Sequence, residues 1–591
     1  MRMALTCLVA LALCVPGRAQ EGRAFADDAT VRLHDLFARE WEARLEESPL
    51  LATSVGRHEY DGRLPSSAPQ DLRRRYEAAK AFLAELHTID PKALSDQDRV
   101  SYRIFEHQLE DRVGEYELGD YQIPLTSDEG FYIELARLPQ TMTLRTVEDF
   151  ENYIARLRQL PRYFGEQIGL MRQGLERGFT LPRVVVESVM IAVESYTVDE
   201  PEETVFWPPF EQFPGSVPES EQGRLRDAGR QAILEGATPA YRAFGDFMRD
   251  VYLPGARETL GAVELPNGED YYRFLIRRYT SLDLSARDIH EIGLREVEQL
   301  RREMDSVMRE VGFEGDFAAF LEFLRTDPRF YAETPEELLM RAAWIAKRMD
   351  GKLPALFGTL PRVPYTVEPV PEELAPRYTA GRYVSPAHGS TQPGIYWVNT
   401  HNLPSRSLYN LEALTLHEAV PGHHLQGALA EEQDGLPPFR RFWYLSAFGE
   451  GWGLYSEWLG LEAGFYTDPY SNFGRLTYAM WRACRLVIDT GVHAFGWTRQ
   501  QAIDYLAERT ALSLHEVETE IDRYISWPGQ ALSYKLGELT LRRLRREAEQ
   551  ALGSRFDVRE FHDAVLLRGA VPLPVLEEQI AAYVDRTRRH E

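Results

Sequence analysis

The octapeptide His417-Glu418-Ala419-Val420-Pro421-Gly422-His423-His424 places two kinds of metal-hydrolase group side by side. A neutral imidazole is a good ligand for zinc, and a glutamate next to it in sequence can take a proton from an attacking water. In the common HExxH pattern both histidines lie four apart on one helix face and reach a single ion. Here the second histidine comes six or seven residues on. In an unbroken helix His417 and His423 would point about 120° apart, and His424 would lie about 10.5 Å further along the axis. A regular helix therefore cannot make either pair a chelate.

Pro421 offers a way out, because it cannot donate to the carbonyl four residues back and its ring clashes with that carbonyl. Gly422 can take backbone angles closed to other residues. The sequence predicts a helix that breaks between Glu418 and His423, returning His423 or His424 to the ion as if the intervening residues were looped out. The segment Gly449-Glu450-Gly451-Trp452-Gly453-Leu454-Tyr455-Ser456-Glu457 supplies carboxylates for a third ligand. Glu450 and Glu457 are seven apart and share a helix face, so one can ligate while the other orients a ligand histidine. The glycines around Glu450 permit close approach to a neighbouring helix, and the flanking aromatic residues predict that this helix is buried. Glu418 is the expected general base. With two histidines, one glutamate and an open fourth position, Zn2+ is the expected cofactor, one per chain.

The elements that must position these groups are mostly helical. Apolar residues recur at helical spacing over about 28–47, 68–88, 95–115, 147–176, 222–262, 284–311, 335–350, 405–431, 440–463, 471–495, 498–509, 513–525, 531–552 and 572–588. Asp283-Leu284-Ser285 and Thr334-Pro335-Glu336-Glu337 read as helix starts. Residues 200–220, rich in proline and aromatics, read as a loop that could cover the site. Tyr365–Val367 and Ile395–Asn399 have strand composition, with Gly389, Pro393 and Gly394 turning the chain into the second. On the helix over 471–495, Arg485, Asp489 and His493 are four apart and form a polar stripe. Arg482 and Arg485 could bind a substrate carboxylate, and either could equally belong to a buried ion-pair network.

HEAVPGHHLQ, EGWGLYSE, RACRLVIDTGVH and WPGQALSYKLG together resemble the DUF885 family of bacterial proteins, over most of the chain and most densely from about Arg382 to Gly537. That family is similar to helical zinc peptidases of the M3 and M32 kinds. The resemblance implies a large, mainly helical, zincin-like fold with a deep cleft and a small sheet beside the metal helix. It favours His423 over His424 as second ligand and Glu450 over Glu457 as third, leaving His424 and Glu457 as supporting or alternative ligands. It implies an oxyanion-stabilising tyrosine from a late helix, for which Tyr534 is the candidate and His493 the second. It also implies an edge strand that binds extended peptide, for which Ile395–Asn399, with Tyr396 and Asn399, is the candidate.

The 591 residues, 44% hydrophobic and 27% charged, suit a soluble protein with a large core. A net charge of −25 argues against a nucleic-acid partner. Met1 to Ala19 has the basic start, short apolar run and small-residue end of an export signal, with cleavage expected after Ala19. Residues 20–591 are expected to form one catalytic unit, with a helical half to about 350 and the metal-site half from about 351. No other apolar run suggests membrane insertion. Cys484 alone remains in the mature chain, as an expected core residue, so no intramolecular disulfide can form. These features predict an exported zinc peptidase acting on short or unfolded peptides, as a carboxypeptidase or oligopeptidase. An amidase for another substrate and a non-catalytic metal- or peptide-binding protein are the alternatives.

Overall fold

A computed structural model describes residues 17–589 except 373–374, 387 and 389–391. Most of the expected export signal, and Gly389 of the expected turn, lie outside the described residues. The chain is mainly helical, with one three-stranded sheet. Among the described residues no helix is long and apolar enough to cross a membrane.

The helix starts read from sequence are built as capping chemistry dictates. Ser285 accepts from the Asp288 N–H and Asp288 returns the bond, opening Ala286–Glu310. Thr334 accepts from the Glu337 N–H at the head of Pro335–Asp350. Arg183–Ser195 is a helix that periodicity missed, because its run of three valines carries strand propensity that packing overrides. The Pro/aromatic stretch also differs from expectation. It contains the short helix Pro208–Glu211, and Phe206, Trp207 and Phe210 are core residues. Phe210 packs on Phe150 and Tyr153, and Tyr153 donates to the Phe206 carbonyl. These aromatics pack into the core beside their own helices.

The centre of the molecule is the helix Pro469–Phe495, whose residues from Met480 to His493 are all buried. Ala286–Glu310 packs along it, and a side chain at Gly293 would run into Leu486 and Val487. Ser446–Leu459 packs equally closely on Leu532–Leu552. There Gly451 meets Gly537 backbone to backbone, so that a Cβ on Gly451 would fall 2.6 Å from the Gly537 Cα.

Strands β1 (Tyr365–Pro369), β2 (Gly381–Val384) and β3 (Gly394–Val398) run in the spatial order β1-β3-β2. β3 is parallel to β1 and antiparallel to β2. This corrects the sequence reading: β3 is the central strand, with both edges taken, and the strand beside the helical site is β2. Tyr396 is fully buried with its hydroxyl 3.3 Å from Thr415 Oγ1, and Asn399 donates to the carbonyls of Ala375, Tyr378 and Thr379. Both residues hold the sheet to the body and present nothing to a substrate.

Candidate metal centre

The helix Leu411–Glu418 ends one residue after His417, and a new helix, His423–Glu431, begins at His423. Between them Ala419 and Gly422 leave helical geometry, at ψ −111 and −129, and the Val420–Pro421 peptide is cis. The break is held from both sides. The His424 N–H reaches back to the Ala419 carbonyl at 3.1 Å. The Trp452 indole N–H donates to the Pro421 carbonyl at 2.7 Å. Gly422 is required by contact, since a Cβ there would lie 1.8 Å from the His417 carbonyl oxygen. The two helices thus turn the His417 and His423 rings toward each other, with centroids 4.7 Å apart and planes at 84°.

Ser446–Leu459 brings Glu450 to this pair. Its Oε2 lies 3.4 Å from His417 Nε2 and 3.5 Å from His423 Nε2. One donor atom from each of the three residues falls within 4.8 Å of the others. Tetrahedral zinc with bonds of 2.0–2.1 Å sets its donors about 3.3–3.4 Å apart, so these separations match the edges of a zinc coordination tetrahedron. The rear of His417 is equally defined. Its Nδ1 is 2.7 Å from Glu457 Oε1, and both side chains are 3% exposed. Glu457 lies 3.8 Å from Arg482. The His417 ring rests against Gly453, where a Cβ would come within 2.5 Å of Cε1.

Electrostatics follow from this packing. Burial disfavours a charged His417, but Glu450, Glu457 and Glu418 together override it and push the imidazole up to about 10. Burial would likewise raise Glu450, but His423 and His417 hold its carboxyl well below the usual range. The arrangement is a carboxylate-rich pocket that favours a cation, whether a proton or a metal.

Glu418 is nearly buried and its Oε2 accepts from the Tyr383 N–H of β2 at 2.8 Å. The edge strand therefore fixes the Glu418 carboxylate next to His417 in sequence. The model of the family described as bacterial protein of unknown function (DUF885) matches residues 49–580. The chain belongs to the DUF885 family. Two solved structures share the fold of this DUF885 chain. A candidate lipoprotein from Colwellia psychrerythraea is 29% identical, with a TM-score of 0.89 over 94% of this chain and 99% of that one. A candidate lipoprotein of unknown function from Shewanella oneidensis is 17% identical, with a TM-score of 0.70 over 95% and 99% of the respective chains. No curated protein matches this sequence.

The remaining residues singled out in this DUF885 sequence separate clearly. His424 points away from the triad: it bonds Tyr383 Oη through Nδ1 at 3.0 Å, packs on Tyr365, and is pushed down to about 4 by burial. His493 is fully buried with both nitrogens used, Nδ1 accepting from the Ala262 N–H and Nε2 donating to the Tyr524 carbonyl. Burial lowers it to about 3, so it is a neutral structural residue and the catalytic assignment fails.

Arg482 and Arg485 are 5% and 2% exposed. Arg482 backs Glu457 and stacks on Tyr478 and Trp481. Arg485 bonds the Tyr524 hydroxyl and Glu520, with its guanidinium over the Tyr534 ring. Both face inward, which corrects the substrate-binding reading. Asp489, between Arg485 and His493, pairs with neither; it accepts from Tyr272 Oη at 2.5 Å and from the Gly529 N–H. The stripe is thus three separate anchors, and Asp489 secures the Trp527-Pro528-Gly529 turn that leads into the Tyr534 helix. Cys484 is a core residue, its thiol pushed up to about 12 by burial.

Tyr534 is 8% exposed and lies between Arg485 and Arg523. Sequence reasoning missed Tyr444, whose hydroxyl donates to Glu450 Oε1 at 2.7 Å although the residue is 54% exposed. The structure explains Gly449 beside it, since a Cβ there would come 2.4 Å from the Tyr444 ring.

Proposed function

We propose that this DUF885 chain is an exported zinc peptidase. His417, His423 and Glu450 would hold the ion. The observation that carries the reading is the set of donor separations, 3.4 and 3.5 Å, at a triad whose neighbouring Glu418 is fixed by β2. Zinc in this set would polarise a scissile carbonyl and ease deprotonation of water. The chain's own groups account for the rest. Glu457 keeps the His417 Nδ1 proton and so presents Nε2 as donor toward the ion. Glu418 takes the proton of the attacking water and returns it to the leaving amine. Tyr444, bonded to Glu450, and Tyr534 are the hydroxyls proposed to meet the oxyanion. The apolar leader over Ala4–Val15, ending at Gly17-Arg18-Ala19, and the lipoprotein descriptions of the two structural relatives, support export.

The test is zinc content together with mass-spectrometric analysis of a mixed peptide pool, for the mature protein and Glu418→Gln. The expected result is zinc in both proteins and cleavage by the first alone. Zinc in both with no cleavage by either would redirect the reading to a non-peptide amide, and full activity in Glu418→Gln would end the mechanism.

A further inference from the structure

Two arginines on different elements are linked to the candidate site through their neighbours. Arg382 lies on β2 next to Tyr383, whose N–H holds Glu418, and its side chain is 48% exposed. Arg523 lies on Leu514–Ser526, against Tyr534. Tyr444 donates to Glu450 Oε1 at 2.7 Å, and Arg523 reaches the head of the Glu450 helix through Gln530, which accepts from Arg523 at 3.1 Å and donates to Ser446 Oγ at 3.4 Å.

Each arginine faces an acid from the same short hairpin, far away in sequence. Arg382 Nη2 is 3.5 Å from Glu129, and Arg523 Nε is 3.5 Å from Asp128. The hairpin is closed by the Leu125–Gly130 bridge and by the Thr126 N–H to the Glu129 carbonyl at 2.8 Å. It can close because Gly130 takes φ 153, where a Cβ would press on Leu125. Its tip rests on Leu514–Ser526 through the Ser127 N–H and hydroxyl, both against Ser526 Oγ. Arg523 also has Glu520 at 3.6 Å and Gln530 Oε1 at 3.1 Å. A single acidic tip thus bridges the strand beside the general base and the helix beside Tyr534.

These ion pairs are loose. A guanidinium and a carboxylate in good register approach to 2.7–2.9 Å with paired bonds, whereas here both stand at 3.5 Å. Asp128 and Glu129 are 50% and 37% exposed, so water competes for both carboxylates and weakens the pairs. A ligand carboxylate free to adopt paired geometry would outcompete them. The net charge is −25, so these two cations act locally against the overall field.

We infer that Arg382 and Arg523 receive the carboxylates of an anionic peptide, and that Asp128 and Glu129 occupy those places until such a peptide displaces them. This rests on the peptidase reading and adds its substrate class.

The test uses two hexapeptides of one sequence, one with acidic side chains and a free C-terminus, the other with Asn and Gln in their place and an amidated end. Binding is measured by calorimetry on zinc-loaded Glu418→Gln, and cleavage on the parent. The anionic peptide is expected to bind about 10-fold tighter or more. Arg382→Gln with Arg523→Gln should abolish the preference. Asp128→Asn with Glu129→Gln should tighten the anionic peptide alone by about 2- to 5-fold. Should Arg523→Gln lower the melting temperature, the exposed Arg382→Gln by itself must still reduce the preference. Equal binding of both peptides overturns the inference, and equal cleavage alongside it leaves the peptidase reading standing. Preferential binding without any cleavage supports the anion site and sinks the peptidase.

Discussion

Replacing Glu457 separates metal affinity from fold stability. Its Oε1 stands 2.7 Å from His417 Nδ1 and 3.8 Å from Arg482, with all three side chains almost wholly buried. In Glu457→Gln the amide oxygen can still accept from the imidazole, so the ring keeps its tautomer but loses the charge behind it. Loss of such an outer carboxylate typically weakens metal binding 10- to 100-fold, or about 1.4–2.7 kcal/mol. Arg482 pays separately. Its Nε and Nη1 already lack hydrogen-bond partners, and removing the nearest acid leaves a buried charge with less compensation. Breaking a buried pair from one side costs about 3–5 kcal/mol at short range; at 3.8 Å and with aromatic rings stacked on the guanidinium, about 1–3 kcal/mol is expected. The assay is competition for zinc against a chromophoric chelator on the folded apo-protein, with melting followed by circular dichroism. Glu457→Ala should lose more of both quantities. A folded Glu457→Gln that binds zinc as tightly as the parent would refute the argument that Glu457 acts through His417.

Two further outcomes follow from contact and burial. Gly453→Ala puts a methyl 2.5 Å from His417 Cε1 and 2.7 Å from Nε2. Helix propensity favours alanine by up to about 1 kcal/mol, but overpacking costs about 1–3 kcal/mol and must rotate the ring, so zinc affinity should fall at least about 10-fold; chelator competition measures it. Asp489, buried against Tyr272 and Gly529, is raised to about 7 by burial, so the folded state holds its proton more tightly than the unfolded state does. The stability this gives is complete below the unfolded value near 4 and is lost as pH rises through about 7. Asp489→Asn should therefore gain on the parent between pH 4 and 7.5, by on the order of 4 kcal/mol at most. Urea midpoints at the two pH values read this, and a constant difference would show that Asp489 is ionised in the native protein.

Much of the candidate centre was legible because its chemistry is local. Pro421 and Gly422 announce a broken helix through missing donors and missing side chains, and the break is present between Glu418 and His423. The spacing of Glu450 and Glu457 announces a shared face, and both reach His417, one at each ring nitrogen. Helix positions were legible for the same reason, since burial imposes periodicity on the sequence.

What sequence could not decide was the direction in which a group points once elements pack. His423 and His424 are neighbours of identical type, and only the angle at which the second helix restarts sends one to Glu450 and the other to Tyr383. Arg482, Arg485 and His493 are as polar as any substrate-binding residue, but their helix is enclosed on all sides and each is consumed by an internal partner. The strand next to Glu418 is β2, although β3 has the stronger strand composition, because strand order is set by the pairing of distant segments. Tyr444 lies only six residues before Glu450, but the Asp128–Glu129 hairpin comes from far upstream and carries no motif. Sequence fixes which atoms can bind a metal or move a proton; the packing of helices against one another decides which of them meet.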